Sequence, residues 1–461
     1  MRYGKVLIGA AVVVCAAAAL YGYAYYKYPP RRAEPVATAP AAPSAPPGPS
    51  AAPQVPDSAA PADRATFDRC VRGGFPTPDN AQQRNTDCSK AILTRQLSPD
   101  DLALARLIRG SARMTLGEKV MAREDYREAL NRYDSLVDSR NPEALDLFRR
   151  AVAEDALGET EKALYDYGRA IRLDPAATLA FLSRGVLLAT RKRAFERAIE
   201  DFNKVLVLEP DNVQALIRRG DAYSQLGESA RALVDLERAI SLAPQSTQAY
   251  FYRGLAHSRM NMSVAALADY NAALERDPRN VDALTSRAAI HSLNSRIALA
   301  IQDLDAAIAI DKENAYAYFN RGFAYFAQGQ HQKAIEDYTK AIELNPDFGL
   351  AYNNRALARA VINKDLPLAL ADCDMALKLM PGNLDVRDTR GFVYFKLGDP
   401  ALALNEYNAA LERDPNRTTA LFGSGLAKIR MGNIKSGEGD QAAARILDPE
   451  VDQQFAFYGL N

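Results

Sequence analysis

The residues of this chain whose types and spacing could do chemistry are three histidines, four cysteines and a ladder of arginines matched by acids. His257 and His291 stand 34 residues apart, the period found below, so they occupy equivalent places on successive helices. Such helices pack about 8–10 Å apart and no third ligand is in reach, so the pair reads as interior histidines rather than a metal site. His331 opens a helical pattern and is expected on the surface. Cys15 lies in an apolar run, Cys373 is alone, and Cys70 and Cys88 bracket a polar loop containing Gly73, Gly74, Pro76 and Pro78. Without a Cys-x-x-Cys pair or a neighbouring histidine, zinc is not indicated. In an oxidising compartment Cys70 and Cys88 can bridge; the alternative is two unpaired cysteines on packed helices. There is no phosphate-cradling Gly-rich loop with Lys, no His-Glu-x-x-His and no Gly-x-Ser-x-Gly. The expectation is a protein that is not an enzyme and needs no cofactor.

The charged ladder is regular. Arg109, Arg150, Arg184, Arg219, Arg253, Arg287, Arg321, Arg355 and Arg390 are each followed 16 or 17 residues later by Asp125, Asp166, Asp201, Asp235, Asp269, Asp303, Asp337, Asp372 and Glu406. If each spacing spans two antiparallel helices, the two positions meet. Arg219–Asp235, Arg253–Asp269, Arg321–Asp337 and Arg355–Asp372 are then bidentate clasps within a unit rather than a charged binding stripe. Breaking such a partly buried pair strands its partner, at about 3–5 kcal/mol.

The elements that would position these pairs are marked by proline. Pro175, Pro210, Pro244, Pro278, Pro346, Pro381, Pro415 and Pro449 recur every 34 or 35 residues, with Lys312 in the one vacant place. Proline stops a helix, so each marks the end of a two-helix unit. In Ala315–Phe348, Tyr318, Gly322 and Tyr325 share one face of a first helix, and Ala334, Tyr338 and Ala341 share one face of a second, with Gly329 and Gln330 turning between them. Small residues at Gly322 and Ala334 let the two helices approach.

This pattern of aromatic, Gly, Tyr, Ala, aromatic, Ala and Pro resembles the tetratricopeptide repeat. The units are 103–136, 144–177, 178–212, 213–246, 247–280, 281–314, 315–348, 349–383, 384–417 and a degenerate 418–451. Units 178–212 and 349–383 carry one extra residue in the turn, near Lys192 and Lys364, and Val137–Glu143 is an insert. Places below are counted from the first residue of each unit. The resemblance implies an all-α fold, an α-solenoid of about ten helix-turn-helix units in a right-handed superhelix. It also implies a groove lined by places two, five, nine, twelve and thirteen of the first helices. Those places hold Phe251, Leu255, Tyr316, Phe319, Phe323, Phe326, Asn353, Phe392 and Phe395, with Asn354 beside them. An open apolar surface of this size marks an interaction site, and an extended or helical peptide with apolar anchors would fit it, Asn353 and Asn354 holding its backbone. The alternative is that tight winding or the chain's own linker covers these residues. No unit has the Lys at place five with Asn at place nine that some relatives use to capture a carboxylate terminus.

Before the repeats, Val6–Tyr26 is uncharged and apolar, and about 20 such residues cross a bilayer. Arg2 and Lys5 before it, and Tyr21, Tyr23, Tyr25 and Tyr26 at its end, favour an uncleaved anchor over a cleaved signal or lipidation at Cys15. The domain order expected is therefore 1–28 transmembrane anchor or signal, 29–62 disordered Pro/Ala-rich linker, 63–102 degenerate helical cap, 103–451 repeats and 452–461 tail. Lysine plus arginine and aspartate plus glutamate balance at 57 each, which demotes nucleic acid as a partner. The functional expectation is a non-catalytic scaffold on the inner membrane, facing the periplasm, that binds a protein or peptide. A cytosol-facing import-receptor-like protein and a repeat array serving a glycosyltransferase are the alternatives.

Overall fold

The computed structural model describes residues 61–460 apart from 73, 78, 79, 95, 140 and 141; among them lie 23 α-helices and no strand. The apolar stretch Val6–Tyr26 and the Pro/Ala-rich segment after it lie outside the described residues. The expectation of an inner-membrane anchor with periplasm-facing repeats is corrected: no helix among the described residues is long and apolar enough to cross a membrane. The longest of them, Lys119–Ser139, carries charges along its whole length.

Contacts gather the chain into two compact units that part between Leu242 and Ala243. In the first, Pro61–Val71 pairs with Ala81–Leu93, Pro99–Thr115 with Lys119–Ser139, Ala144–Leu157 with Thr160–Leu173, Thr178–Leu187 with Phe195–Leu208, and Val213–Gln225 with Ser229–Leu242. In the second, the pairs are Thr247–Arg259 with Ser263–Arg276, Val281–Leu293 with Ile297–Ile310, Ala315–Ala327 with His331–Leu344, Gly349–Val361 with Leu366–Leu379, Leu384–Leu397 with Pro400–Leu411, and Thr418–Arg430 with Ile434–Leu447. A seven-residue helix, Val451–Phe457, follows the last pair. Cys70 and Cys88 are joined in a disulfide that staples the leading pair.

Local chemistry explains where the helices start and turn. Asn212, Ser246, Asn280, Asn314 and Asn383 each accept, through their side chains, a backbone N–H of the first turn that follows. These caps satisfy donors that a helix start leaves unpaired. Place fifteen, in the turn between paired helices, is left-handed in nine units: Gly117, Gly158, Gly227, Asn261, Ser295, Gly329, Asn363, Gly398 and Gly432 all have positive φ. The extra residue of 178–212 is absorbed by a π-helical turn, Leu188–Lys192, and left-handed Arg193. That of 349–383 is absorbed by two left-handed residues, Asn363 and Asp365.

The core is a ladder between the paired helices. Alanines from Ala122 to Ala403 at the facing place of the second helix are fully buried, and Tyr126, Tyr167, Phe202, Tyr270, Tyr338 and Tyr407 are buried four residues further on. The approach is close: a Cβ built on Gly254 would lie 2.7 Å from the Tyr270 ring, and one on Gly322 2.9 Å from the Tyr338 ring. Burying each such side chain contributes roughly 1.5–3 kcal/mol.

Candidate partner-binding surface

The arginine ladder folds back within each pair. Arg219 holds Asp235 through Nε and Nη2 at 2.7 Å each, and Arg321 holds Asp337 at 2.8 Å each. Nη2 of Arg253 and of Arg355 stands 2.6 Å from Asp269 and Asp372. These carboxylates are buried, so the guanidinium also supplies the counter-charge that burial requires. Hydrogen bonding to Asp337 leads the effects that raise the Arg321 pKa above its ordinary value. In some units place eleven supplies a second partner to the same acids. Arg113 Nη1 reaches Asp125 at 2.7 Å, and His257 Nδ1 lies 2.8 Å from Asp269. In the degenerate last pair, where serine replaces arginine, Ser424 and Lys428 together hold Asp440, at 2.7 and 2.6 Å. His257 thus serves the acid ladder, while His291 Nε2 lies 3.9 Å from Asp303, beyond hydrogen-bond distance. Among the described residues no group of three or more His, Cys, Asp or Glu could hold a metal.

The residues expected to line an open groove are not open. Phe251, Tyr316, Phe319, Phe323, Phe326, Asn353, Phe392 and Phe395 are all buried, Phe319 at 1% exposure, while Leu255 and Asn354 are half-buried. For place five the cause is packing within the repeat: Phe251 leans on Tyr270 and Phe319 on Tyr338, with ring centroids 6.1 and 5.8 Å apart. Tyr316 and Phe319 also stack on Phe348, which leads into the next repeat, at 4.7 Å each. Asn353 donates to Asn354 Oδ1 at 3.3 Å, and its own Oδ1 is buried without a hydrogen-bond partner.

For Phe326, Phe392 and Phe395 the cause is the segment that follows the last pair. After Val451–Phe457 the tail crosses the first helices of the second unit. Phe457 packs against Phe326 at 5.7 Å, Tyr458 against Phe392 at 5.5 Å, and Leu460 enters the cluster of Phe395. His331, expected on the surface, is half-buried instead, edge-on to both Phe326 and Phe457. Burial lowers its pKa. The tail's three apolar side chains stand in the sequence, but no register places them, since they lie past the last repeat.

An open stretch of the same face lies in the first unit. A cleft of about 330 Å³ is framed by Ser111, Val152, Leu182 and Val186, all at places five or nine of successive first helices. Phe75, from the loop inside the disulfide, closes one side, and Arg218 and Gln214 stand at the other end. Tyr126 and Tyr167 are buried beneath it, and burial pushes the Tyr126 phenol up to about 12. The sequence carried this signal at places five and nine, but those places are less aromatic here than in the second unit.

Stacked helix pairs clasped by internal ion pairs, with one face of first helices available, define a helical repeat scaffold. Tetratricopeptide repeat models match residues 114–259, 293–348 and 356–422, more than half of the chain, and the chain belongs to the tetratricopeptide repeat family. It is 31% identical over 103 residues to the small glutamine-rich tetratricopeptide repeat-containing protein 2 of Saccharomyces cerevisiae, covering 22% of this chain and 30% of that one. It is 49% identical over 57 residues to a UDP-N-acetylglucosamine–peptide N-acetylglucosaminyltransferase of Giardia intestinalis, covering 12% of this chain and 4% of the enzyme. These matches span less than a third of each relative's own length. Among solved structures, the Cut9–Hcn1 heterotetramer of the APC/C is similar over 83% of this chain and 89% of that one, at 14% identity and a TM-score of 0.47.

Proposed function

We propose that this chain is a non-catalytic scaffold that holds a protein or peptide segment on the first-helix face of its repeats. The observation that carries this reading is the cleft of the first unit, about 330 Å³, walled by apolar Val152, Leu182 and Val186 with polar Ser183 and Arg218 beside them. A pocket of a few hundred Å³ with a mostly apolar wall and a few polar groups suits side-chain anchors of a peptide. The regular charged groups of the array are committed to its own clasps, which leaves shape and apolar contact as the main means of recognition.

The test is affinity capture with the full chain beside a Leu182→Glu, Val186→Glu variant, with circular dichroism confirming that both remain helical. The expected result is a co-purifying protein that the wild type retains and the variant loses. Equal capture by both would rule out the cleft.

A further inference from the structure

The tail of the second unit sits where a ligand would. Phe455 stacks on Phe422 at 4.5 Å, Tyr458 on Phe392 at 5.5 Å and Phe457 on Phe326 at 5.7 Å. One short segment therefore touches the helices Thr418–Arg430, Leu384–Leu397 and Ala315–Ala327, up to 131 residues back in the chain (457 against 326). The Lys396 ammonium donates to the Gly459 carbonyl at 3.4 Å, a contact of the kind that fixes a bound peptide backbone. Gly459, with φ of 73°, turns the chain so that Leu460 follows into the apolar clusters around Phe392 and Phe395.

Two features distinguish this from a plain end cap. The floor residues Phe326, Phe392 and Phe395 are buried, as are Val451 and Phe455 at the last pair, whereas Phe457, Tyr458 and Leu460 stay half-exposed, so residues 457–460 lie on the surface. The tail is also joined to the last pair by one turn, which gives it a high effective concentration at the face and lets it dock without strong contacts.

We propose that the first-helix face of the second unit is a peptide site occupied by the chain's own tail, and that the partner it accepts is a short helix ending in a turn, with aromatic residues at i, i+2 and i+3 and an aliphatic residue at i+5. Phe455, Phe457, Tyr458 and Leu460 are the internal copy of that ligand. An external segment must displace the tail before it binds, so the wild type takes such a peptide weakly. This site is separate from the first-unit cleft, and either can fail without the other.

The test uses a fluorescein-labelled synthetic peptide of residues 450–460 and the full chain. Anisotropy titrations compare the wild type with a Phe457→Ala, Tyr458→Ala, Leu460→Ala variant whose tail cannot hold the face. The expected result is saturable binding to the variant at least tenfold tighter than to the wild type, abolished by adding Phe392→Asp. A folded variant that shows no saturable binding would overturn the proposal. Should the variant not fold, hydrogen exchange on the wild type decides. Excess peptide should accelerate exchange at residues 451–460, and unchanged exchange at saturating peptide would mean a fixed cap.

Discussion

Arg321 Nη1 stands 2.7 Å from Asp305 Oδ1, in the second helix of the preceding repeat, while its other nitrogens hold Asp337 of its own. The same reach recurs from Arg219 to Asn203, Arg287 to Asn271 and Arg390 to Asp374. Each of these four arginines therefore clasps its own pair and stitches it to the one before. In a solenoid, where each repeat contacts only its neighbours, such stitches bear on the interface between repeats as well as on the repeat itself.

The two halves of that contact should differ in weight. Arg321→Met strands buried Asp337 and should cost about 3–5 kcal/mol. Asp305 is 53% exposed, so Asp305→Ala should cost about 0.5 kcal/mol or less. Urea unfolding of both variants measures this, and equal losses would contradict the assignment.

Ser295 occupies the left-handed place that six other turns give to glycine, with φ of 56°. A side chain there costs about 1 kcal/mol. Ser295→Gly should therefore raise the melting temperature, while Gly329→Ala, at φ of 73°, should lower it. Calorimetry of the two variants checks the opposite signs.

Glu154 is the one acid at place eleven, beside Asp166, where five other units place Arg, His or Lys and four place Tyr or Leu. Burial, then the Asp166 charge, lifts its pKa to about 7. Its folded pKa is raised above the unfolded value, so folding is favoured most below about pH 4.5, and that advantage is lost as pH rises through 7. Glu154→Gln should stabilise the first unit by about 1–2 kcal/mol at pH 8 and change little at pH 4. Denaturant midpoints measured from pH 4 to 8 would show whether the gap opens with that sign.

Reducing the Cys70–Cys88 bridge, which spans 18 residues, should cost about 3 kcal/mol in the leading helix pair. Peptide-resolved hydrogen exchange with and without dithiothreitol should show faster exchange in 61–93 and little change beyond the next pair.

The repeat boundaries, the turns and the clasps were legible because they are local. Proline stops a helix wherever it falls, and Arg321 and Asp337 recur at a fixed offset that antiparallel pairing must bring together. The caps at Asn212, Asn280 and Asn314 are equally local, two residues after each unit's terminal proline or Lys312. The fate of the first-helix face was not local. Phe319 was assigned to an open groove because its place in the first helix suggested one, yet Tyr338 and Phe348 enclose it. Phe326 and Phe392 depend on the tail, whose position follows from the accumulated geometry of several repeats rather than from any one unit.

The inward-turned tail also bears on assembly between chains. Stacked helix pairs grow by adding a like surface to an exposed end, and an uncapped end invites open-ended fibres through head-to-tail contacts. With Val451 and Phe455 buried at the last pair, and Phe455 stacked on Phe422, the surface that a neighbouring molecule's leading pair would seek is already taken. A like surface docking there would first have to displace residues 451–460.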